Sequence, residues 1–339
     1  MVDDSAVVRQ ALQAVLGRAG MQVEAASDPL IAMRKMEQGR PDVIVLDLEM
    51  PRMDGLSFLR KVMAEDPLPV VICSVAVGSG TRNAVRAMEE GAVAIVAKPQ
   101  VGLQGFLLDS ALMIEETVRG AALARVPARA APAEAVPAPG PGARAGARGS
   151  ASVVAMGAST GGTEALREIL QALPPEAPGI VIVQHMPAGF TRAFADRLDD
   201  LCRLEVKEAA DGDRVVPGRA LLAPGNRHLE VEADGRGLVA RLSDGPLVGR
   251  HRPSVDVLFR SVAAAAGPAA VGVILSGMGA DGAEGLLEMK RAGARTIGQD
   301  EASCVVFGMP REAARRGAVD RVAPPPRIAP LVMALATLR

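Results

Sequence analysis

The chain alternates short, wholly apolar runs with stretches whose apolar positions recur at helical spacing. In the first third, Val43-Ile44-Val45-Leu46 ends in Asp47, Val70-Val71-Ile72-Cys73 ends in Ser74, and Ala94-Ile95-Val96-Ala97 ends in Lys98-Pro99. Residues 7–16, 55–64 and 82–90 read as helices. Short runs that are apolar on both faces, separated by helices, predict a parallel sheet covered on both sides. The second half repeats the style, with strands expected at 152–156, 179–183 and 271–275. Helices are expected there at 163–172, 190–198, 255–265 and 282–292. Residues 221–223, 228–233 and 238–242 predict an antiparallel hairpin insertion that turns through Ala233-Asp234-Gly235-Arg236-Gly237. The fold class is α/β, in two domains.

The division falls between about Arg125 and Ser150, where Pro127, Pro132, Pro137, Pro139 and Pro141 crowd among Ala, Gly and Arg. Proline removes backbone donors and blocks helix, so this segment is expected to be an extended linker. Domains are placed at 1–118 and 151–337, with 119–150 between them. Charge narrows the picture: 38 Lys+Arg against 39 Asp+Glu gives −1, without the basic excess of a dedicated nucleic-acid binder. Aromatic residues are 2%, with no Trp or Tyr, so stacking platforms for single strands are not expected and Val, Leu, Ile, Ala and Met must build the cores. Cys73, Cys202 and Cys304 are far apart and match no zinc spacing, which fits a reducing compartment. No secretory leader pattern and no apolar run of bilayer length is present, so a soluble, cytoplasmic protein without membrane insertion is expected.

Ligands of open parallel sheets sit at the carboxyl ends of the strands. Asp3, Asp4, Asp47, Ser74 and Lys98 all fall at such ends. Each alone reads as a cap or turn residue. Together, three carboxylates at one mouth call for a hard divalent cation, and the lysine and hydroxyl suit a phosphoryl group. Asp3-Asp4-Ser5, Asp47 with Met50-Pro51-Arg52-Met53-Asp54-Gly55, Ser74 and Lys98-Pro99 resemble a response-regulator receiver domain, a flavodoxin-like doubly wound sheet. The resemblance implies that Asp47 accepts a phosphoryl group, that Asp3, Asp4 and Asp47 hold Mg²⁺, and that Ser74 and Lys98 contact the phosphoryl oxygens. Gly55 is expected at a positive φ. The family carries an aromatic residue three places before the lysine, where this chain has Ile95, so no aromatic rotamer switch is expected. The family also has a full first strand before the acidic pair. Only Met1 and Val2 precede it here, which leads to the expectation of a truncated first strand, a weakened receiver and a native start upstream of Met1.

The second domain opens with a strand that runs into Gly157-Ala158-Ser159-Thr160-Gly161-Gly162 and then a helix. Strand, G-x-S-x-G and helix make a nucleophile-elbow pattern, and the spacing is not that of a dinucleotide fingerprint. A serine nucleophile needs a base. Of three histidines, His228 reads as a surface or turn residue, His251 lies between two arginines that disfavour its charged form, and His185 follows an apolar run at the same sheet edge as Ser159. Asp281, in Ser276-Gly277-Met278-Gly279-Ala280-Asp281-Gly282, is a candidate third member or, more plainly, an N-cap of the next helix.

Ser159, His185 and Asp281 in that order, with Gln184-His185-Met186-Pro187, His251-Arg252-Pro253-Ser254-Val255-Asp256 and Glu301-Ala302-Ser303-Cys304, resemble the catalytic domain of chemotaxis protein-glutamate methylesterases, the CheB family. The resemblance implies hydrolysis of glutamate methyl esters on chemoreceptors and deamidation of receptor glutamines. It implies a Ser159–His185–Asp281 triad with the oxyanion region at Thr160 and the Met278 backbone, and no cofactor for the ester chemistry. It implies chemoreceptors as substrates and a chemotaxis histidine kinase as phosphodonor. The competing readings are a response regulator with a non-catalytic, partner-binding output domain and a hydrolase of another ester or amide.

Overall fold

The computed structural model describes residues 1–50, 53–99, 104–126 and 153–337. Pro51, Arg52, Ser152 and residues 127–150 of the expected linker lie outside the described residues. The apolar runs of the first domain become β1 (Ile44–Leu46), β2 (Val70–Ser74) and β3 (Ala94–Ala97), paired in parallel in that order. Around them pack α1 (Ala6–Arg18), α2 (Pro29–Met36), α3 (Gly55–Glu65), α4 (Ser79–Glu89) and α5 (Gln104–Ala122). The last helix continues through residues 119–122, which had been expected to open the linker. Side-chain caps set the starts of α2 and α3: Asp28 accepts from the Ile31 N–H at 2.9 Å and Asp54 from the Ser57 N–H at 2.9 Å.

Val2 does the work of a first strand alone. It bridges Leu46 on one side and Ala26 on the other, in parallel. Its N–H donates to Val45 O at 2.8 Å, and the Asp47 N–H donates to Val2 O at 2.9 Å. The resulting order, Ala26, Val2, β1, β2, β3, is that of a flavodoxin-like sheet. Beside Val2 lies a cavity of about 540 Å³, lined by Leu16, Val23, Ala25, Ile44, Val45 and Val118 among others. Gly55 is not among the positive-φ glycines, contrary to expectation. Glycine is needed there for space: a Cβ would come within 2.3 Å of Asp47 O and 2.7 Å of Leu48 Cα.

The second domain is built on β4 (Val153–Ala158), β5 (Gly179–Gln184), β6 (Glu205–Glu208), β8 (Arg219–Leu222), β11 (Ala270–Ile274), β12 (Arg295–Gln299) and β13 (Arg321–Ala323). They form one parallel sheet in the order β13-β12-β11-β4-β5-β8-β6. The helices are α6 (Gly162–Ala172), α7 (Phe190–Leu201), α8 (Val255–Ala266), α9 (Ala283–Arg291), α10 (Met309–Arg315) and α11 (Pro325–Thr337). The insertion is antiparallel, with β9 (His228–Ala233) and β10 (Leu238–Ser243) as the hairpin and β7 (Arg214–Val215) on the far side of β10. Leu221 and Leu222, expected in the hairpin, belong instead to β8, inside the parallel sheet between β5 and β6.

The two domains are joined by direct packing. Residues of α4 and α7 share one apolar cluster, including Val85, Ala87, Phe194 and Leu198. Arg197 of α7 donates to Glu89 of α4 at 2.6 Å, and the Gly161 N–H donates to Val93 O at 2.9 Å. The three thiols are free, and burial pushes Cys202 up to about 11 and Cys304 up to about 12, so they are inert packing groups.

A one-residue ladder beside a large cavity leaves β1 with fewer packing and pairing partners than β4, which has neighbours on both sides. The amides of Ile44–Leu46 are therefore expected to exchange with deuterium faster than those of Val153–Ala158. Equal protection in a mass-resolved exchange experiment would contradict this.

Candidate active site

β4 ends at Ala158 and α6 starts at Gly162, so Ser159 sits on a three-residue turn at the carboxyl edge of the sheet. Gly161 turns the chain at φ +73°, and a Cβ there would meet Val305 at 2.2 Å. The turn is pinned from both sides. The Ser159 N–H donates to Ser276 O at 2.9 Å, Gln184 Nε2 donates to Ser159 O at 2.9 Å, and Ser276 Oγ donates to Thr160 O at 2.8 Å. Gly277 lets the second loop close on the serine, since a Cβ there would lie 2.7 Å from Ser159 Cβ. Among the described residues, the backbone N–H groups of Thr160 and Met278 have no acceptor. Thr160 directly follows the serine, where a nucleophile elbow provides an oxyanion donor.

His185 leaves the end of β5, and its N–H donates to Ala158 O at 3.0 Å. Its Nε2 lies 2.8 Å from Asp281 Oδ2. An ionised carboxylate can only accept, so Nε2 carries the proton and Nδ1 keeps the lone pair. That Nδ1 is buried without a hydrogen-bond partner, in a pocket that Ser159 also lines. Among the described residues the imidazole bonds to Asp281 but not to the Ser159 hydroxyl.

Asp281 is not the cap of its own helix, a place taken by Gly282. It caps α8 from across the sheet edge. Besides His185, it accepts from Ser254 Oγ at 2.7 Å, the Val255 N–H at 2.7 Å and the Asp256 N–H at 3.1 Å. Asp256 returns the favour at α9, accepting from the Gly285 N–H at 2.6 Å. Burial raises the Asp281 pKa, but the hydrogen bond and electrostatic pull of His185, with His251 and Ser254, outweigh it and hold the carboxyl well below the ordinary range.

The other two histidines support this centre, a role not expected from the sequence. His228 is buried rather than at the surface. Its Nε2 donates to Pro246 O at 2.9 Å, and its Nδ1 accepts from the Ser254 N–H at 3.2 Å. His251 stacks on His185 with ring centroids 3.9 Å apart and planes within 12°. Burial, then the neighbouring His185, lowers its pKa to about 3, so it remains neutral.

In the first domain, Asp3, Asp4 and Asp47 bring carboxylate oxygens within 4.8 Å of one another. Lys98 Nζ lies 2.6 Å from Asp47 Oδ2 and 3.1 Å from Asp3 Oδ2. The Asp3 contact is an ion pair without hydrogen-bond geometry, and Asp3 Oδ2 is buried with no hydrogen bond. Burial raises the Asp47 pKa against the opposing pull of Lys98. Among the described residues, Ser74 Oγ makes a single long bond, 3.4 Å, to Gly80 O. Asp3, Asp4, Asp47 and Lys98 thus meet at one strand edge, and Ser74 stands at the end of β2. The donor set, all oxygen with one orphaned atom, fits a Mg²⁺ ion.

Elements of the first domain reach the Ser159 pocket. Met113, Glu116 and Thr117 of α5 line the Ser159 pocket together with Ile95 of β3, leaving about 80 Å³. That space holds a few waters at about 30 Å³ each. In the loop after Ser74, Ala76 O lies where a Gly189 Cβ would sit 2.6 Å away, at the start of α7.

Family models match twice: "Response regulator receiver domain" over residues 1–104 and "CheB methylesterase" over residues 154–332. A protein-glutamate methylesterase/protein-glutamine glutaminase of Anaeromyxobacter dehalogenans is 59% identical over 343 residues, covering 99% of this chain and 98% of the relative. One from Xanthomonas campestris pv. campestris is 56% identical, covering 96% of each chain. The crystal structure of the Thermotoga maritima CheB methylesterase catalytic domain, at 39% identity, covers 55% of this chain and 99% of its own with a TM-score of 0.54.

Ser254→Ala removes both the α8 cap and a donor to Asp281. It is expected to cost about 1–2 kcal/mol in denaturant unfolding, and no loss would contradict the capping role. Because its folded pKa is depressed, Asp281 contributes stability that is complete above its ordinary value near 3.8 and is lost as pH falls through the lower folded value. The stability difference between wild type and Asp281→Asn should therefore shrink as pH drops from about 5 toward 2.

Proposed function

The chain belongs to the CheB methylesterase family, and from that membership we propose that Ser159, His185 and Asp281 hydrolyse glutamate methyl esters and glutamine amides on chemoreceptors. The enzyme is a protein-glutamate methylesterase/protein-glutamine glutaminase with a receiver domain ahead of it. In the proposed mechanism Ser159 Oγ attacks the ester carbonyl while His185 Nδ1 takes its proton. The Thr160 and Met278 N–H groups receive the developing oxyanion, an interaction worth about 10²–10³ in rate per donor. As the tetrahedral intermediate collapses and the C–O or C–N bond breaks, His185 gives the proton to the leaving oxygen or nitrogen, releasing methanol from an ester or ammonia from an amide. Water attacks the acyl-enzyme by the same route and leaves a glutamate. Asp281 keeps the proton on Nε2 and stabilises the imidazolium. The observation that carries this reading is the buried, unpartnered Nδ1 of His185 in the pocket that Ser159 lines.

The domain boundaries are assigned at 1–118, 119–150 and 151–337, with α5 running on to Ala122. Asp47 is the phosphoacceptor, with a chemotaxis histidine kinase as donor. Asp3, Asp4 and Asp47 would hold Mg²⁺, which when bound neutralises the carboxylates and the incoming phosphoryl oxygens. Lys98 and Ser74 contact the phosphoryl group. A pocket of about 80 Å³ under α5 cannot admit a receptor helix, so the receiver holds the enzyme in check until phosphorylation shifts its seat. The Ser74–Ala76 loop that meets Gly189 is the path by which that shift reaches the catalytic domain. None of the described helices is long and apolar enough to cross a membrane.

Methanol release from methylated receptor membranes tests the chemistry. Ser159→Ala should lower it by about 10³-fold or more; retained release would point to a non-catalytic output domain. A small-molecule phosphodonor should raise release by wild type but not by Asp47→Asn. Activation of that variant would remove Asp47 from the scheme.

A further inference from the structure

Glu116 does more than fill space under α5. Its Oε1 lies 3.4 Å from Arg250 Nη1 and its Oε2 lies 3.7 Å from His251 Nε2. Arg250 makes no other ion pair among the described residues, and its side chain is 66% exposed, whereas Glu116 is 28% exposed. Arg250 is presented by a tight two-residue turn. Val248 and His251 exchange backbone hydrogen bonds of 3.1 and 2.9 Å, and Gly249 and Arg250 both take positive φ, +58° and +74°. This is the geometry of a type I′ turn, and it fixes a cation against Glu116, beside His251, both of which line the Ser159 pocket. Below it, His251 is stacked on the catalytic imidazole. A glutamate on a helix therefore occupies a cationic rim position beside the serine of an enzyme whose substrates are glutamyl side chains.

Resting on the methylesterase reading, we propose that Arg250 and His251 form a carboxylate-binding subsite, filled here by Glu116 and, once the receiver moves, by an acidic side chain on the substrate helix next to the ester. The α5 helix shows how such a substrate would lie. Met113, Glu116, Thr117 and Gly120 share one face at helical spacing. With Glu116 at Arg250, the residue one turn later, Gly120, lies over the nucleophile's loop. A Cβ there would be 3.0 Å from Met278 Sδ and 3.4 Å from Thr160 Oγ1. Gly120 has no side chain to enter the site, whereas a substrate would place its esterified glutamate there. The subsite thus selects a helix bearing an acid four residues before the ester. Arg250 acts on binding and position, not on the bond being broken.

The test uses the full chain with phosphodonor and two helical peptides, each carrying one glutamate methyl ester. One has glutamate four residues before the ester and the other has glutamine. Wild type should show a KM about five- to tenfold lower for the acidic peptide, with similar kcat, as expected for one charge-assisted contact at a partly exposed site. Arg250→Gln, which keeps length but not charge, should give the two peptides equal KM, and Arg250→Lys should recover much of the difference. Equal KM values in wild type, or a difference that survives Arg250→Gln, overturns the subsite. Absence of methanol from both peptides and from methylated receptor membranes overturns instead the methylesterase reading beneath it.

Discussion

The Asp281 carboxylate is the interaction on which the rest depends. A buried charge is costly unless it is hydrogen-bonded, and Asp281 is met by four donors: His185 Nε2, Ser254 Oγ and the N–H groups of Val255 and Asp256. Three of these belong to the start of α8, whose positive dipole end further favours the charge. The same carboxylate therefore anchors a helix and sets the tautomer of the His185 ring. His228 supports the arrangement from behind by holding the Ser254 N–H. Removing the charge would loosen α8 and free the imidazole together, so fold and chemistry are not separable at this point.

Close backbone approach is the second constraint, and glycine makes it possible at both levels. Gly161 and Gly277 let two loops converge on Ser159. Gly120 and Gly189 let the receiver lie directly on the catalytic domain. The receiver's acidic site is one short loop from that interface, since the β2 strand ends in Ser74 and Ala76 already touches α7. The arrangement places a carboxylate of α5 beside His251, which stacks on His185, so the cover has a chemical as well as a steric character.

Much of this was legible in the sequence. Runs buried on both faces announced β1 to β5 and β11, and the glycine-flanked serine announced its own turn. Asp3, Asp4, Asp47 and Lys98 come together, and Ser74 closes the neighbouring strand. What was not legible depended on contacts between distant segments. The edge strand Glu205–Glu208 has one apolar residue in four, and Arg295–Gln299 begins and ends in polar residues, so neither shows a strand pattern. Leu221 looked like part of the hairpin because its partners, in β5 and β6, are set by topology rather than by local alternation. Asp281 looked like a cap and is one, but for a helix that starts 26 residues earlier in the chain. His228 looked exposed because it sits among polar neighbours, and its two hydrogen bonds reach residues 18 and 26 positions away.

The central claim is that His185, held by Asp281, activates Ser159 beneath a receiver that moves on phosphorylation. Covalent labelling with a fluorophosphonate ester, followed by peptide mass mapping, tests it most directly. The account predicts modification at Ser159 alone, slow in the resting protein, faster with a phosphodonor and nearly abolished in Asp281→Asn. Labelling elsewhere, or a Ser159 rate indifferent to both phosphorylation and Asp281, would contradict it.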